Sequence, residues 1–219
     1  MIEWMSNHAQ LLGVAVSAVT AVIWVIYLQL LVSSMRRQRR TNVEITRAGE
    51  PGEDAKCLVS NMGAEPVYIK SVIVDVVADG ERYTAAATQR REITQDKLTD
   101  LAEKTTEGPL ESGKSRDVGS FKDLVSRMMD FCEIEQLKDR IENIKILVVM
   151  TSGFSKQLAA AEQEFAVTPD GQGGLYVTHS SVTSTQLRGR RVRRQIEERV
   201  NRVLREEADM IRRTVGEER

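Results

Sequence analysis

The chain has 219 residues, of which 41% are hydrophobic and 29% charged, and its formal net charge is −1. This length provides for one domain of ordinary size in addition to a short N-terminal segment and a tail. Only two cysteines occur, Cys57 and Cys132, which do not make a disulfide framework and are expected to be small buried thiols in a reducing cytoplasm. The competing interpretation is an Ig-type disulfide between them, which requires the opposite membrane topology.

A long uncharged segment lies near the N-terminus. From residue 4 to residue 35 there is no Asp, Glu, Lys or Arg. A helix rises about 1.5 Å per residue, so about 20 apolar residues cross a hydrocarbon core of about 30 Å. Residues 11–32 meet this requirement. We therefore expect a transmembrane helix over residues 11–35, preceded by a short external N-terminus at residues 1–10.

Basic residues that would orient this helix follow it directly, in a stop-transfer flank at residues 36–40: Arg36, Arg37, Arg39 and Arg40. Lys and Arg concentrate on the cytoplasmic side of membrane helices, so the N-terminus is expected outside and the rest of the chain in the cytoplasm. No Lys or Arg precedes the apolar run, unlike in a cleaved signal peptide. The sequence thus predicts a single-pass protein, with a bacterial inner membrane as the expected location.

The predicted membrane helix also carries a candidate contact face. Gly13, Ser17 and Ala21 recur every four residues, so they share one side of a helix. Small residues at this spacing let two helix backbones approach closely, although such patterns are also common by chance. A homo-oligomer paired through this face is one expected consequence.

The net charge conceals an uneven distribution. Residues 41–187 include 24 acidic and 16 basic residues, a net charge of −8. Residues 188–219 include 11 Arg and 7 acidic residues, a net charge of +4. An acidic central body is therefore bracketed by two basic segments.

The central body, residues 41–177, has the pattern of a cytoplasmic Ig-like β-sandwich, an α+β domain with one or two inserted helices. Alternating or β-branched runs predict strands at residues 42–47, 55–61, 67–77 and 82–88, the last two joined by a hairpin turn. No segment of helix length separates these four strands, which favours a sandwich over a βαβ fold. Later strands are predicted at residues 114–121, 144–151 and 156–168.

Two helices are expected between these strands. Residues 94–104 begin with Thr94 as a candidate N-cap. Residues 121–144 have apolar residues at helical spacing, and the second half of this run steps by 3, 4 and 3 through Ile134, Leu137, Ile141 and Ile144. The alanine-rich residues 156–168 also suit a helix, but a return beside residues 144–151 favours a strand there.

No pattern in the sequence predicts catalysis, a cofactor or a metal. Of the two histidines, His8 precedes the membrane helix and His179 lies in a polar stretch, which indicates a solvated linker residue. Residues 170–174 are glycine-rich but lack the preceding strand and following helix of a phosphate loop. Cys57 and Cys132 lack the paired spacing of a zinc site.

The tail combines a predicted linker, residues 178–187, with a basic amphipathic helix, residues 188–219. Steps of four outnumber steps of three in its apolar stripe, so the stripe is not a clean heptad seam. Four surfaces could bury this stripe and are the outlets for it: the body of the same chain, a second copy of the helix, a groove on a partner protein and the membrane interface. The stripe consists of Val192, Ile196, Val200, Val203, Leu204, Ala208, Ile211 and Val215.

Five arginines at the start of the tail helix form a candidate basic patch: Arg188, Arg190, Arg191, Arg193 and Arg194. A solvated helix start is the simplest interpretation, followed by binding to anionic lipid headgroups of the inner leaflet. Nucleic acid is less favoured, because no aromatic residues are interleaved with the arginines. Docking on the acidic body is the fourth interpretation.

These features predict a non-enzymatic, membrane-anchored interaction or scaffold protein. Its cytoplasmic β-domain and C-terminal helix are expected to bind a protein partner or the inner leaflet. The alternative is an accessory subunit of a larger membrane complex for transport or secretion, in which the membrane helix is the main contact.

Overall fold

A computed structural model describes residues 9–38, 41–87, 105–152, 155–170 and 174–217. The chain divides into two compact units, Met1–Arg40 and Thr41–Arg219. The second unit includes a 3-10 helix, Glu135–Arg140. The other elements are α1 (Ala9–Gln38), β1 (Val43–Ala48), β2 (Lys56–Asn61), β3 (Val67–Ala78), β4 (Glu81–Ala86), β5 (Gly108–Leu110), β6 (Ser115–Ser120), α2 (Phe121–Cys132), β7 (Ile141–Ser152), β8 (Ser155–Pro169), β9 (Leu175–His179), β10 (Thr185–Leu187) and α3 (Arg190–Glu217).

The first unit contains the helix α1. Its stretch Gly13–Met35 has a mean hydropathy of 2.2, and none of it is buried. At about 1.5 Å per residue this stretch extends for about 35 Å, which exceeds the hydrocarbon thickness of about 30 Å. The predicted N-terminal apolar helix is therefore confirmed, and it is long and apolar enough to span a membrane.

The second unit is built on two antiparallel sheets. In the larger sheet β10, β8, β7, β3 and β4 lie side by side, while β5 also pairs with β3 and β9 with β8. The smaller sheet has the order β1, β2, β6. Asp79 and Gly80 join β3 to β4 and both have positive φ, as a two-residue hairpin turn requires. The body is thus a sheet-rich α+β domain with antiparallel sheets, as predicted.

A bulge in β3 determines which of its residues face each side of the large sheet. The register against β7 shifts between Ile69 and Ser71, so the alternation changes phase there. Beyond the bulge, Ile73 and Asp75 share the face opposite to the main core. Residues facing the main core are Val67 and Ile69 before the bulge and Val72, Val74 and Val76 after it.

Both faces of the large sheet are covered. The small sheet and α2 share the main core with one face, where the rings of Phe121 and Phe165 meet edge to face at 4.8 Å. The helix α3 packs on the other face through a second, smaller core. Strands buried on both faces are apolar at nearly every position, which explains the composition of β3 and β7.

The α-helix predicted over residues 121–144 ends at residue 132, and of the remainder only Glu135–Arg140 is helical, as a 3-10 helix. Ser120 caps the start of α2, because its hydroxyl accepts a hydrogen bond from the Asp123 N–H at 3.1 Å. Glu133 has a left-handed backbone, φ 55°, and ends the helix. Ile141 and Ile144 belong to β7, where a bulge opposite Ala78 lets both face the main core and imitates helical spacing.

The segment predicted as a linker, residues 178–187, instead contains the end of β9 and all of β10. It is ordered because its backbone pairs with β8 and its polar side chains bind β1. The helix predicted over residues 94–104 lies outside the described residues. Strands are confirmed, with ends that differ by one to three residues, for the predictions at residues 42–47, 55–61, 67–77, 114–121, 144–151 and 156–168, and the one predicted at residues 82–88 is confirmed as far as residue 86.

Candidate functional site

The first half of α3 lies on the outer face of the large sheet. Ile196 and Val203 are each only 3% exposed, and Val192 and Val200 pack beside them. Of the four outlets for the apolar stripe, this half uses the body. The sheet residues beneath it are Ile73, Leu147, Val149 and Ala160, which come from β3, β7 and β8.

An ion pair fixes α3 within this contact. Arg199 binds the carboxylate of Asp75, which is only 2% exposed. The hydroxyl of Thr84, opposite Asp75 in the β3–β4 hairpin, donates to the same carboxylate at 2.8 Å. A charge at this depth requires a partner, because burying it alone costs several kcal/mol. The pair therefore sets both the position and the rotation of α3 on the sheet.

Side chains from the segment before α3 cover the free edge of β1. The Gln186 amide accepts from the Val43 N–H at 3.2 Å and donates to the Val43 carbonyl at 2.6 Å. Ser184 accepts from the Ile45 N–H at 2.8 Å, and Arg188 donates to the Thr41 carbonyl at 2.7 Å. We call these contacts, with the His179 contact described next, the edge lock. They replace the strand that would otherwise pair with this edge.

His179 completes the edge lock at the far end of β1. Its Nε2 accepts from the Arg47 N–H at 3.3 Å, and its ring lies 5.0 Å from that of Phe165. Burial lowers the pKa of His179, and the Arg47 charge lowers it further, against a smaller opposing effect of Glu44. The neutral imidazole is therefore favoured, as accepting this hydrogen bond requires. His179 ends β9 instead of lying in a linker, whereas its exposure at the surface agrees with the sequence prediction.

The described side chains in the second half of α3 are exposed. Leu204 is 47% exposed, although Val203 beside it is buried. The described side chains beyond it are exposed as well: Arg205, Glu206, Ala208, Asp209 and Arg212. The apolar stripe is therefore divided between a seated part and a part that no described residue of the body covers.

The five arginines of the candidate basic patch have different surroundings. Arg188 belongs to the edge lock, and Arg194 pairs with Glu198 at 3.0 Å on the surface of α3. Arg191 is exposed and Arg193 is half-buried, while the side chain of Arg190 is outside the described set. Docking on the body thus accounts for Arg188, and lipid binding by the others stays a prediction.

The candidate pairing face of α1 is open. An added Cβ at Gly13 would meet no heavy atom within 4 Å. The Ser17 hydroxyl donates to the Gly13 carbonyl at 2.8 Å, so it is satisfied within the helix, and Ala21 is exposed. Of the orienting arginines, Arg36 and Arg37 lie in α1, whereas Arg39 and Arg40 are outside the described residues.

A polar cleft of about 390 Å³ lies beside α2. Lys122 and Lys138, which line it, hold the Glu53 carboxylate at 3.0 and 3.1 Å. Burial raises the pKa of Glu53, but the hydrogen bonds and charges of the two lysines outweigh it and leave the pKa below its ordinary value. This arrangement stabilises the Glu53 anion, so Glu53 itself is not poised to accept a proton near neutral pH.

The described residues hold no cluster of three or more His, Cys, Asp and Glu side chains that could bind a metal. Burial raises the pKa of Cys57 and that of Cys132, so neither thiol is activated as a nucleophile. No known protein family, curated protein or solved structure matches the chain.

The sequence contained a signal for the edge lock. Ser184, Gln186 and Arg188 recur at every second residue, the spacing at which strand side chains share one face. All three can hydrogen-bond with a backbone, which suits an unpaired edge. The Ser/Thr-rich composition of the segment obscured this alternation.

Proposed function

We propose that this chain is a non-enzymatic, membrane-anchored interaction protein whose cytoplasmic β-domain and C-terminal helix bind a protein partner. One observation supports this most directly: α3 is seated on the body only as far as Val203, and the described residues beyond it are exposed. Packing of the first half of α3 on the body holds the helix in a fixed direction. The other half is then available to a partner.

The structure defines the test of this function. Removing residues 188–219 would uncover the apolar sheet face and remove the Arg188 contact of the edge lock, so any loss of binding would have two explanations. A chain ending at Glu206 keeps Ile196, Arg199 and Val203. We expect crosslinking in native membranes to capture a partner with the full chain and not with this truncation. Equal capture by both chains would refute a role for the distal helix.

The finer features of the body and its location are part of the proposal. Two antiparallel sheets that share one core support an Ig-like β-sandwich, whose strand order an experimental structure that includes residues 88–104 would check. The arginines at residues 36–40 support a cytoplasmic body beneath a bacterial inner membrane. Protease added to sealed right-side-out vesicles should then leave residues 41–219 intact, and should digest them in inverted vesicles.

A second candidate function is an accessory subunit of a larger membrane complex. The observation that favours it is the open face at Gly13 and Ser17, where the Ser17 hydroxyl is already satisfied within α1. Such a face suits close packing against another helix. Replacing residues 11–32 with a poly-Leu span separates the two functions. Retained partner capture supports the tether, whereas loss of capture supports the complex subunit.

A further inference from the structure

The apolar stripe of α3 consists of two stripes offset by one residue. The seated stripe ends at Val203, and the distal stripe begins at the next residue, Leu204. A shift of one residue turns the apolar face by about 100° around the helix. The distal stripe therefore cannot lie on the same plane as the sheet that holds the seated stripe.

The distal stripe has a regular heptad spacing. Leu204, Ala208, Ile211 and Val215 follow one another by steps of 4, 3 and 4, which are the steps between d and a positions. The irregularities of the whole stripe lie outside this segment, in the two consecutive steps of four from Val192 to Val200 and in the step of one from Val203 to Leu204. Leu204 and Ala208 are both exposed, so the start of this seam is accessible.

We propose that the distal half of α3 pairs with the same segment of a second copy of this chain as a parallel two-stranded coiled coil. With Leu204 and Ile211 at d and Ala208 and Val215 at a, the surface charges select the orientation. They also favour a second copy of this chain over an unrelated helix, because this one sequence supplies both the acidic and the basic residue of each complementary pair.

The flanking g and e positions are complementary only in the parallel arrangement. Glu207 occupies g and Arg212 the following e position, so a parallel pair sets Glu207 of each copy beside Arg212 of the other. An antiparallel pair would instead set Arg205 beside Arg212, two like charges. The surface pair of Arg212 with Asp209, 3.6 Å apart and exposed, is too weak to prevent this exchange.

The pairing rests on the proposed membrane tether, because the tether brings two copies of the chain into the same membrane. A seam of two heptads is short for association in free solution. Anchoring in one membrane confines both copies to a thin layer and raises their effective concentration. The tether thus supplies what the short seam lacks.

Cysteine crosslinking of the full chain in its membrane tests this pairing. Ala208→Cys places a thiol on the seam, and Asp209→Cys places one at an adjacent exposed position off the seam. Under mild oxidation we expect at least about fivefold more crosslinked dimer from Ala208→Cys than from Asp209→Cys. The parent chain, with buried Cys57 and half-buried Cys132, gives the baseline. Equal yields from the two variants, or none above baseline, would overturn the proposal.

Charge reversal tests the orientation in the Ala208→Cys background. Glu207→Arg alone and Arg212→Glu alone should each lower the dimer yield by about fivefold, and the two together should restore it. A double variant that stays low would overturn the parallel pairing. Partner capture is measured in the same membranes with the chain that carries only Ala208→Cys. Absence of its crosslinked dimer together with a captured partner refutes this inference and leaves the proposed function standing. A crosslinked dimer with no captured partner refutes the proposed function and leaves this inference standing.

Discussion

Arg199 of the C-terminal helix binds Asp75 of the central strand β3, a carboxylate that is only 2% exposed. The two residues are far apart in sequence, yet they hold α3 on the sheet more specifically than the apolar contacts around them. Apolar surfaces can slide past one another, whereas a buried ion pair has one satisfactory geometry. Arg199 therefore links the orientation of α3 to the register of β3 and β4.

Substituting Arg199 should destabilise the protein strongly. In Arg199→Met the buried carboxylate keeps only the Thr84 hydrogen bond, and breaking a pair of this kind costs about 3 kcal/mol. We expect the free energy of unfolding to fall by that amount in urea titrations of the full chain in mild detergent, followed by circular dichroism. Arg202→Met, at an exposed position on the same helix, is the matched control and should change little.

The double variant Asp75→Val, Arg199→Met separates the ion pair from general damage. It removes both charges, so no unpaired ion remains in the contact, and most of the lost stability should return. If the double variant is as unstable as Arg199→Met, then packing and not charge holds this part of α3.

The edge lock predicts an unusually large effect for a glutamine on a short strand. Gln186→Ala leaves the N–H and the carbonyl of Val43 without the amide that binds both. Leaving buried backbone groups unpaired costs about 1–3 kcal/mol, so unfolding should need correspondingly less urea. Thr185→Ala, at the exposed neighbour, should stay within about 0.5 kcal/mol of the parent chain. Equal effects of the two substitutions would contradict the lock.

The same lock should make stability depend on pH. The pKa of His179 is lowered by burial and by Arg47, so in the folded state it binds fewer protons than in the unfolded state. Stability is therefore complete above the ordinary histidine pKa of about 6.5 and falls as the pH drops through the folded value. His179→Gln keeps an acceptor that does not titrate. Its free energy of unfolding should vary less between pH 7 and 5 than that of the parent chain, and parallel curves would refute the assignment.

The extent to which the sequence predicts this molecule differs between its parts for physical reasons. Strands such as β1, β3 and β8 follow from local alternation and β-branching, which are visible in a single segment. The end of α2 depends on one left-handed residue, Glu133, and the helical spacing of Ile141 and Ile144 depends on a bulge set by the partner strand. Neither feature is encoded in the periodicity of apolar residues.

Long-range pairing explains what the sequence missed in the site. In the sequence His179 and Gln186 belong to a polar segment that resembles a linker, because their hydrogen bonds to the distant strand β1 are not visible there. The division of the C-terminal stripe is likewise invisible in a helical projection alone. It becomes apparent only when the sheet covers Val203 and leaves Leu204 exposed.

That division makes a sharp prediction for two substitutions on one helix. Ile196 is 3% exposed in the second core, so Ile196→Ala removes packing against the sheet and should cost about 2–5 kcal/mol of unfolding free energy. Leu204 is 47% exposed, so Leu204→Ala should leave the stability of the folded body within about 0.5 kcal/mol of the parent chain.

Interaction assays should rank the same two variants in the opposite order. Leu204→Ala removes a seam residue and should reduce dimer crosslinking through a cysteine at position 208, at a temperature where both variants are folded. Ile196→Ala should preserve that crosslinking as long as α3 remains on the body. A single order in both assays would mean that the two halves of α3 act as one surface, and that the boundary between Val203 and Leu204 does not separate folding from association.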